Sequence, residues 1–111
     1  MKFQFSYKGR KIELDARVCD NPLSQAIGLM FKKNSRPLLF TFNRDVNLSI
    51  HSFFCKPFIC IWFLGENIVD IQNVKPWRIS VKPKKRFDKF LEIPKNHKNF
   101  EKIKRILRIK S

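Results

Sequence analysis

The sequence predicts a small, mainly β domain carrying one or two short helices. Three observations point there. Near the N-terminus apolar residues alternate with polar ones. Phe3, Phe5 and Tyr7 share one side of residues 2–7, and Ile12, Leu14, Ala16 and Val18 share one side of 11–19. The densest apolar run, Phe53 to Leu64, is broken only by Lys56 and Pro57, and its Phe, Ile and Trp residues suit a pleated, buried surface. Gly65-Glu66-Asn67 then links it to a second apolar segment, 67–74, at hairpin distance.

The 111 residues suffice for one core, so one domain is expected over 1–111. A 43% hydrophobic and 14% aromatic composition excludes a disordered tail, and the lack of internal repeats excludes a solenoid. Met1-Lys2-Phe3-Gln4-Phe5 meets charged residues at once, without the apolar h-region of a secretory signal. The longest apolar run falls short of the ~20 residues that a spanning helix needs. Three cysteines without an export signal favour reduced thiols. The expectation is a cytoplasmic monomer with no cofactor and no transmembrane segment.

The remaining elements follow in order. Lys8-Gly9-Arg10 reads as a turn between the first two strands. Asp20 or Asn21 can cap a helix with Pro22 at its first position, and Leu23, Ala26, Ile27 and Met30 place it over 22–30. Pro37 opens a strand through Leu38–Phe42, which Asn43-Arg44-Asp45 ends as a turn. Val46, Leu48 and Ile50 share the face of the next strand. Lys75-Pro76 interrupts pairing because proline lacks the ladder donor. Trp77, Ile79 and Val81 resume alternation, Pro83-Lys84-Lys85-Arg86 forms a basic loop, and Phe87 to Ile93 makes a strand ended by Pro94. In the tail, Phe100, Ile103 and Leu107 suit an amphipathic helix capped at Asn96 or Asn99. Arg105 to Lys110 suits a closing strand equally well in composition.

Catalytic chemistry finds little support. Cys19, His51, Cys55 and Cys60 lack the closely spaced pairs of structural zinc sites, and Cys55 and Cys60 differ in strand parity. Buried, they serve as small core hydrophobes. No phosphate loop, hydrolase elbow or paired base and nucleophile is present. Asp15, Asp20, Asp45 and Asp70 sit beside turns and on strand faces, where solvation is the default.

Charge is the more distinctive feature. Of the net +15, residues 1–74 hold ten cations against six carboxylates, whereas 75–111 hold fourteen against three. Lys82, Lys84, Lys85, Arg86, Lys89, Lys102 and Arg105 are the candidate contacts for nucleic acid or an acidic protein surface. Trp77 and Phe87 flank the basic loop as candidate stacking residues or core anchors. The bland counterpart is compositional drift, since abundant Lys, Ile, Asn and Phe suit an AT-rich genome. A Lys-rich tail helix on anionic lipid is a rarer option.

The order of motifs resembles domain-of-unknown-function family 192, also called uncharacterised protein family 0127. The matching residues are a strand ending near Val18, Gly28-Leu29-Met30, Leu38-Leu39-Phe40-Thr41-Phe42 and Ser49-Ile50-His51-Ser52-Phe53-Phe54. Trp62-Phe63-Leu64, Val69-Asp70-Ile71, Lys75-Pro76-Trp77 and Leu91-Glu92-Ile93-Pro94 complete the series. The resemblance covers about 14–95, leaves a basic tail at 95–111, and is most similar to archaeal members. It implies a compact, mostly antiparallel β-barrel or sandwich, and a short helix and final strand near Arg105–Ile109. It implies no activity. Cys60 stands where the family usually has Asp, Asn96 where it tends to have Gly, and the tail lacks a later Gly-Asp.

The expected function is a small, non-enzymatic binding or accessory module. One alternative is nucleic-acid or ribonucleoprotein contact through 82–108. Another is a ligand-binding or catalytic pocket formed by His51 with Met30 and Trp77.

Overall fold

The computed structural model describes residues 1–19, 36–47, 57–75 and 81–109. The expected helix at 22–30 and the residues Met30, His51, Cys55 and Trp77 lie outside them. Among the described residues the fold is mainly β with one short helix. Strands β1 (Lys2–Tyr7) and β2 (Arg10–Asp15) form a two-stranded antiparallel sheet. Their turn has Lys8 at φ 48° and Gly9 at φ 80°, the doubly left-handed pattern of a type I′ turn.

Five further strands are β3 (Arg17–Cys19), β4 (Leu38–Val46), β5 (Phe58–Leu64), β6 (Asn67–Val74) and β7 (Phe87–Pro94). They form one sheet in the order β3-β4-β7-β5-β6, antiparallel except for the parallel pair β3–β4. Among the described residues its edges, β3 and β6, do not meet, so the sheet is open there and not closed into a barrel.

Residues 11–19, expected as one strand, belong to two sheets. The N–H of Ala16 makes the last hairpin bond, to Met1 O, and the N–H of Arg17 makes the first bond of the new sheet, to Pro37 O. Ala16 is wholly buried there, where only a small side chain lets one sheet pass into the other. The expected turn at Asn43–Asp45 is instead part of β4. Between Thr41, opposite Lys89, and Val46, opposite Phe87, the register shifts. Arg86 holds this stretch by donating to Asp45 Oδ2 and Asp45 O, each at 3.1 Å.

Strand β5 is buried throughout except at Leu64, because both sheet faces are covered. Ile59, Ile61 and Phe63 point to the first face. There they meet Phe5, Ile12 and Leu14 of the hairpin and Phe100, Ile103 and Leu107 of the tail. Phe63 takes the rings of Phe3 and Phe5 edge-on at 5.4 and 5.6 Å. Phe58, Cys60 and Trp62 point to the second face, with Leu38, Phe40, Val74, Val81, Phe87 and Phe90. Phe40 and Phe90 stack there at 4.6 Å.

The tail resolves to helix α1 (Phe100–Ile106), and the strand expected near Arg105–Ile109 does not form. A helix puts Phe100, Ile103 and Leu107 on one buried stripe, which a strand of alternating faces cannot do. Asn99 occupies the N-cap position, but its side chain makes no cap bond. Its backbone N–H donates instead to His97 Nδ1 at 3.1 Å.

Candidate functional site

The segment Val81–Phe87 shows how its sequence turns lysines outward. Val81, Pro83 and Phe87 are buried in it, whereas Lys82, Lys84, Lys85 and Arg86 are exposed. Its backbone is stapled to strand β6 by two side chains. Gln72 Nε2 donates to Lys82 O at 2.9 Å, and the N–H of Lys84 donates to Asp70 Oδ2 at 3.1 Å. Asp70 also accepts from Ile71 N at 2.9 Å through Oδ1 and from Gln72 Nε2 at 3.0 Å through Oδ2. The Arg86–Asp45 pair fastens the far end.

Asp70 therefore differs from the solvated carboxylate expected of it: it is 9% exposed and accepts three hydrogen bonds. A bulge explains its direction. Trp62 stands opposite Asp70 while Phe63 stands opposite Ile68, leaving Val69 as the extra residue. That insertion turns Ile68 to the first face and Asp70 to the second. A lone carboxylate between apolar residues of β6 was the available sequence signal.

The seven basic candidates do not form one surface. Lys82, Lys84 and Lys85 project from the stapled loop, and no carboxylate among the described residues pairs with them. Arg86 is taken by Asp45. Lys89 lies over Phe63 on the first face, 5.9 Å from the ring centroid, and donates to Gly65 O and to Asp88 Oδ1. Lys102 and Arg105 lie on α1, which also packs against the first face. The loop belongs to the second, so the sheet separates the two groups.

Beneath the loop, the second face holds polar groups within an apolar cluster. Glu92 is 6% exposed, with Leu38 and Cys60 as its cross-strand neighbours. Cys60 is wholly buried; burial first, then the charges of Glu92 and Asp70, push its thiol pKa well above the ordinary range. Such a thiol is neutral and inert, so the structure favours its reading as a core residue. Trp62, the next residue of β5 on this face, is fully buried and its indole N–H meets no acceptor among the described residues. Among the described residues no group of three or more metal-binding side chains gathers. No helix there is long and apolar enough to cross a membrane.

The expected pocket residues Met30, His51 and Trp77 lie outside the described residues.

Comparison with known proteins agrees with the motif order. The model of domain-of-unknown-function family 192, described as Uncharacterized ACR, matches residues 4–109. A family-0127 protein of Pyrococcus horikoshii is 40% identical over 90 residues, 78% of this chain and 77% of the relative. One from Pyrococcus furiosus is 35% identical over 92 residues, 79% of this chain and 78% of the relative. Among solved structures, a Sinorhizobium meliloti chain named "putative transcription regulator" superposes with a TM-score of 0.76 at 17% identity, covering 93% of this chain and 81% of that one. A likeness at that identity speaks for the fold alone. With a family model spanning nearly its whole length and archaeal relatives in register, the chain belongs to domain-of-unknown-function family 192, a family of unknown function.

Proposed function

We propose that this protein is a non-enzymatic binding module that contacts nucleic acid through Lys82, Lys84 and Lys85. The supporting observation is the stapled loop. Three ammonium groups without carboxylate partners among the described residues stand on a backbone held by Asp70, Gln72 and the Arg86–Asp45 pair. Phosphates neutralised there release counterions, and a backbone already held in place loses little entropy on binding. Lys102 and Arg105 add to the field from the other face. On this reading the protein is a cytoplasmic monomer of one domain with two stacked sheets in a sandwich-like arrangement.

The test is anisotropy of a labelled single-stranded oligonucleotide over a salt series. Reversing both Lys84 and Lys85 to Glu weakens binding roughly tenfold or more and lowers the salt slope by about 1.4, the share of two phosphate contacts on a single strand. The unfolding midpoint stays in place. Equal loss on reversing Lys102 and Arg105 instead shows that net charge alone acts, and the reading fails.

A second reading rests on the buried Trp62 N–H, which meets no acceptor among the described residues. A small ligand seated on the second face would supply the missing acceptor, in a pocket to which Met30, His51 and Trp77 are the sequence candidates. Native mass spectrometry of the purified protein checks it. A bound mass that Trp62→Phe and His51→Ala both release supports the pocket; the bare chain mass removes it.

A further inference from the structure

Among the described residues the N-terminal hairpin leaves one strand edge open. The N–H of Ala16 donates to Met1 O at 2.7 Å, and Ala16 stands opposite Met1 in the extension of the β1–β2 register. In an antiparallel ladder hydrogen-bonded and non-hydrogen-bonded pairs alternate. Phe3, Phe5 and Tyr7 are therefore bonded to β2, as a two-residue turn closed by Tyr7 and Arg10 also requires. The backbone N–H and C=O groups of Lys2, Gln4 and Ser6 point the other way, out of the hairpin. β1 has no second neighbour in the described sheets.

Beside that edge lies a groove of about 650 Å³. Phe3, Phe5 and Phe63 form its apolar wall, Gln4 and Ser6 bring the open edge to it, and its charged lining is two cations, Lys11 and Lys89, against one carboxylate, Glu66. The opposite lip is the β5–β6 turn. It is held from both sides, since Gly65 N donates to Asp88 Oδ2 at 3.1 Å and Gly65 O accepts from Lys89 Nζ at 2.6 Å. The groove is thus preformed: one side is a row of unused backbone donors and acceptors, the other a fixed turn.

We propose that this edge takes up an extended, acidic peptide segment as an added strand. Backbone bonds to Gln4 and Ser6 would give affinity, and alternate side chains would be sorted by the groove. Apolar residues face Phe3 and Phe63; carboxylates lie within reach of Lys11 and Lys89, in the field of a chain of net charge +15. The same field argues against a second copy as the occupant. Pairing β1 with β1 would bring Lys2 and Lys8 of two strongly cationic chains together.

The experiment is fluorescence anisotropy with a labelled peptide of alternating Glu and Val, about six residues long, an ordinary strand length. Three changes each weaken binding at least roughly tenfold if a strand is added at this edge. They are Ser6→Pro, Lys11→Glu, and N-methylation of alternate peptide amides. Ser6→Pro removes an outward donor and leaves the hairpin ladder bonded, as circular dichroism checks; the methylated peptide reads the same bonds without altering the protein. Reversing Lys84 and Lys85 weakens peptide binding far less than Lys11→Glu alone, which separates this site from the loop. Unweakened binding of the methylated peptide or by Ser6→Pro overturns the proposal. Equal binding of a proline-interrupted peptide of the same composition overturns it as mere charge. Self-association in sedimentation that Ser6→Pro abolishes assigns the edge to a second copy and overturns it too.

Discussion

The backbone N–H of Lys84 donates to Asp70 Oδ2 over 3.1 Å, so a largely buried carboxylate of β6 sets the shape of the exposed basic loop. Asp70→Ala removes the acceptor of three hydrogen bonds at once. Bonds to charged groups contribute about 1.5–3 kcal/mol each and are not additive, so a loss of roughly 2–4 kcal/mol is expected in urea unfolding. Asp70→Asn keeps one acceptor oxygen and should cost about half as much.

The Arg86–Asp45 pair behaves differently, because both side chains are more than half exposed. Asp45→Ala is expected to cost less than about 1 kcal/mol and to cost nothing measurable at high salt. The backbone bond from Arg86 to Asp45 O remains available in that variant. Urea unfolding at low and high salt checks both statements.

Cys60 gives a pH dependence whose sign follows from burial. Its folded-state pKa lies well above the ordinary 9.0, so the folded chain keeps the thiol proton while the unfolded chain releases it. The protons bound by the unfolded state then fall below those bound by the folded state, and stability drops as pH rises past 9.0. The slope from this one group is about 1.4 kcal/mol per pH unit. Cys60→Ala should flatten that slope in alkaline unfolding series while lowering stability below pH 9.0.

His97 has the opposite sign. Partial burial first and the neighbouring Lys98 second hold its pKa below 6.5. The unfolded chain therefore binds the proton first as pH falls, and stability is lost below 6.5. Its Nδ1 accepts the N–H of Asn99 at the start of α1, a bond that protonation of the ring removes. His97→Gln should make the unfolding midpoint less sensitive to acid, with helix α1 retained by circular dichroism.

Local pattern carried much of the fold. Alternation located β1 and β2, the dense apolar run and the turn after it located β5 and β6, the segment ended by Pro94 located β7, and the Phe100, Ile103 and Leu107 spacing located α1. Pattern failed where two elements share one continuous period. Residues 11–19 alternate without a break, yet the chain changes sheets at Ala16 because Met1 O and Pro37 O capture successive amides. It failed again at Asn43–Asp45, where turn-forming residues are held in β4 by an arginine distant in sequence. The site was less legible still. The basic residues were visible as one cluster, but the sheet places the loop and α1 against opposite faces.

The sequence by itself determined the mainly β class, the central hairpin, the charge of the last third and, through its motif order, the family. These depend on composition and on neighbours a few residues apart, where strand and helix periods are written directly. The tertiary structure decided which face each polar residue joins. A single bulge at Val69 directs Asp70 inward toward the basic loop, and the same layering puts Glu92 beside Cys60 and leaves the Trp62 N–H without an acceptor among the described residues. Facing depends on cross-strand register, which pairs residues far apart in the chain, and one inserted residue reverses it.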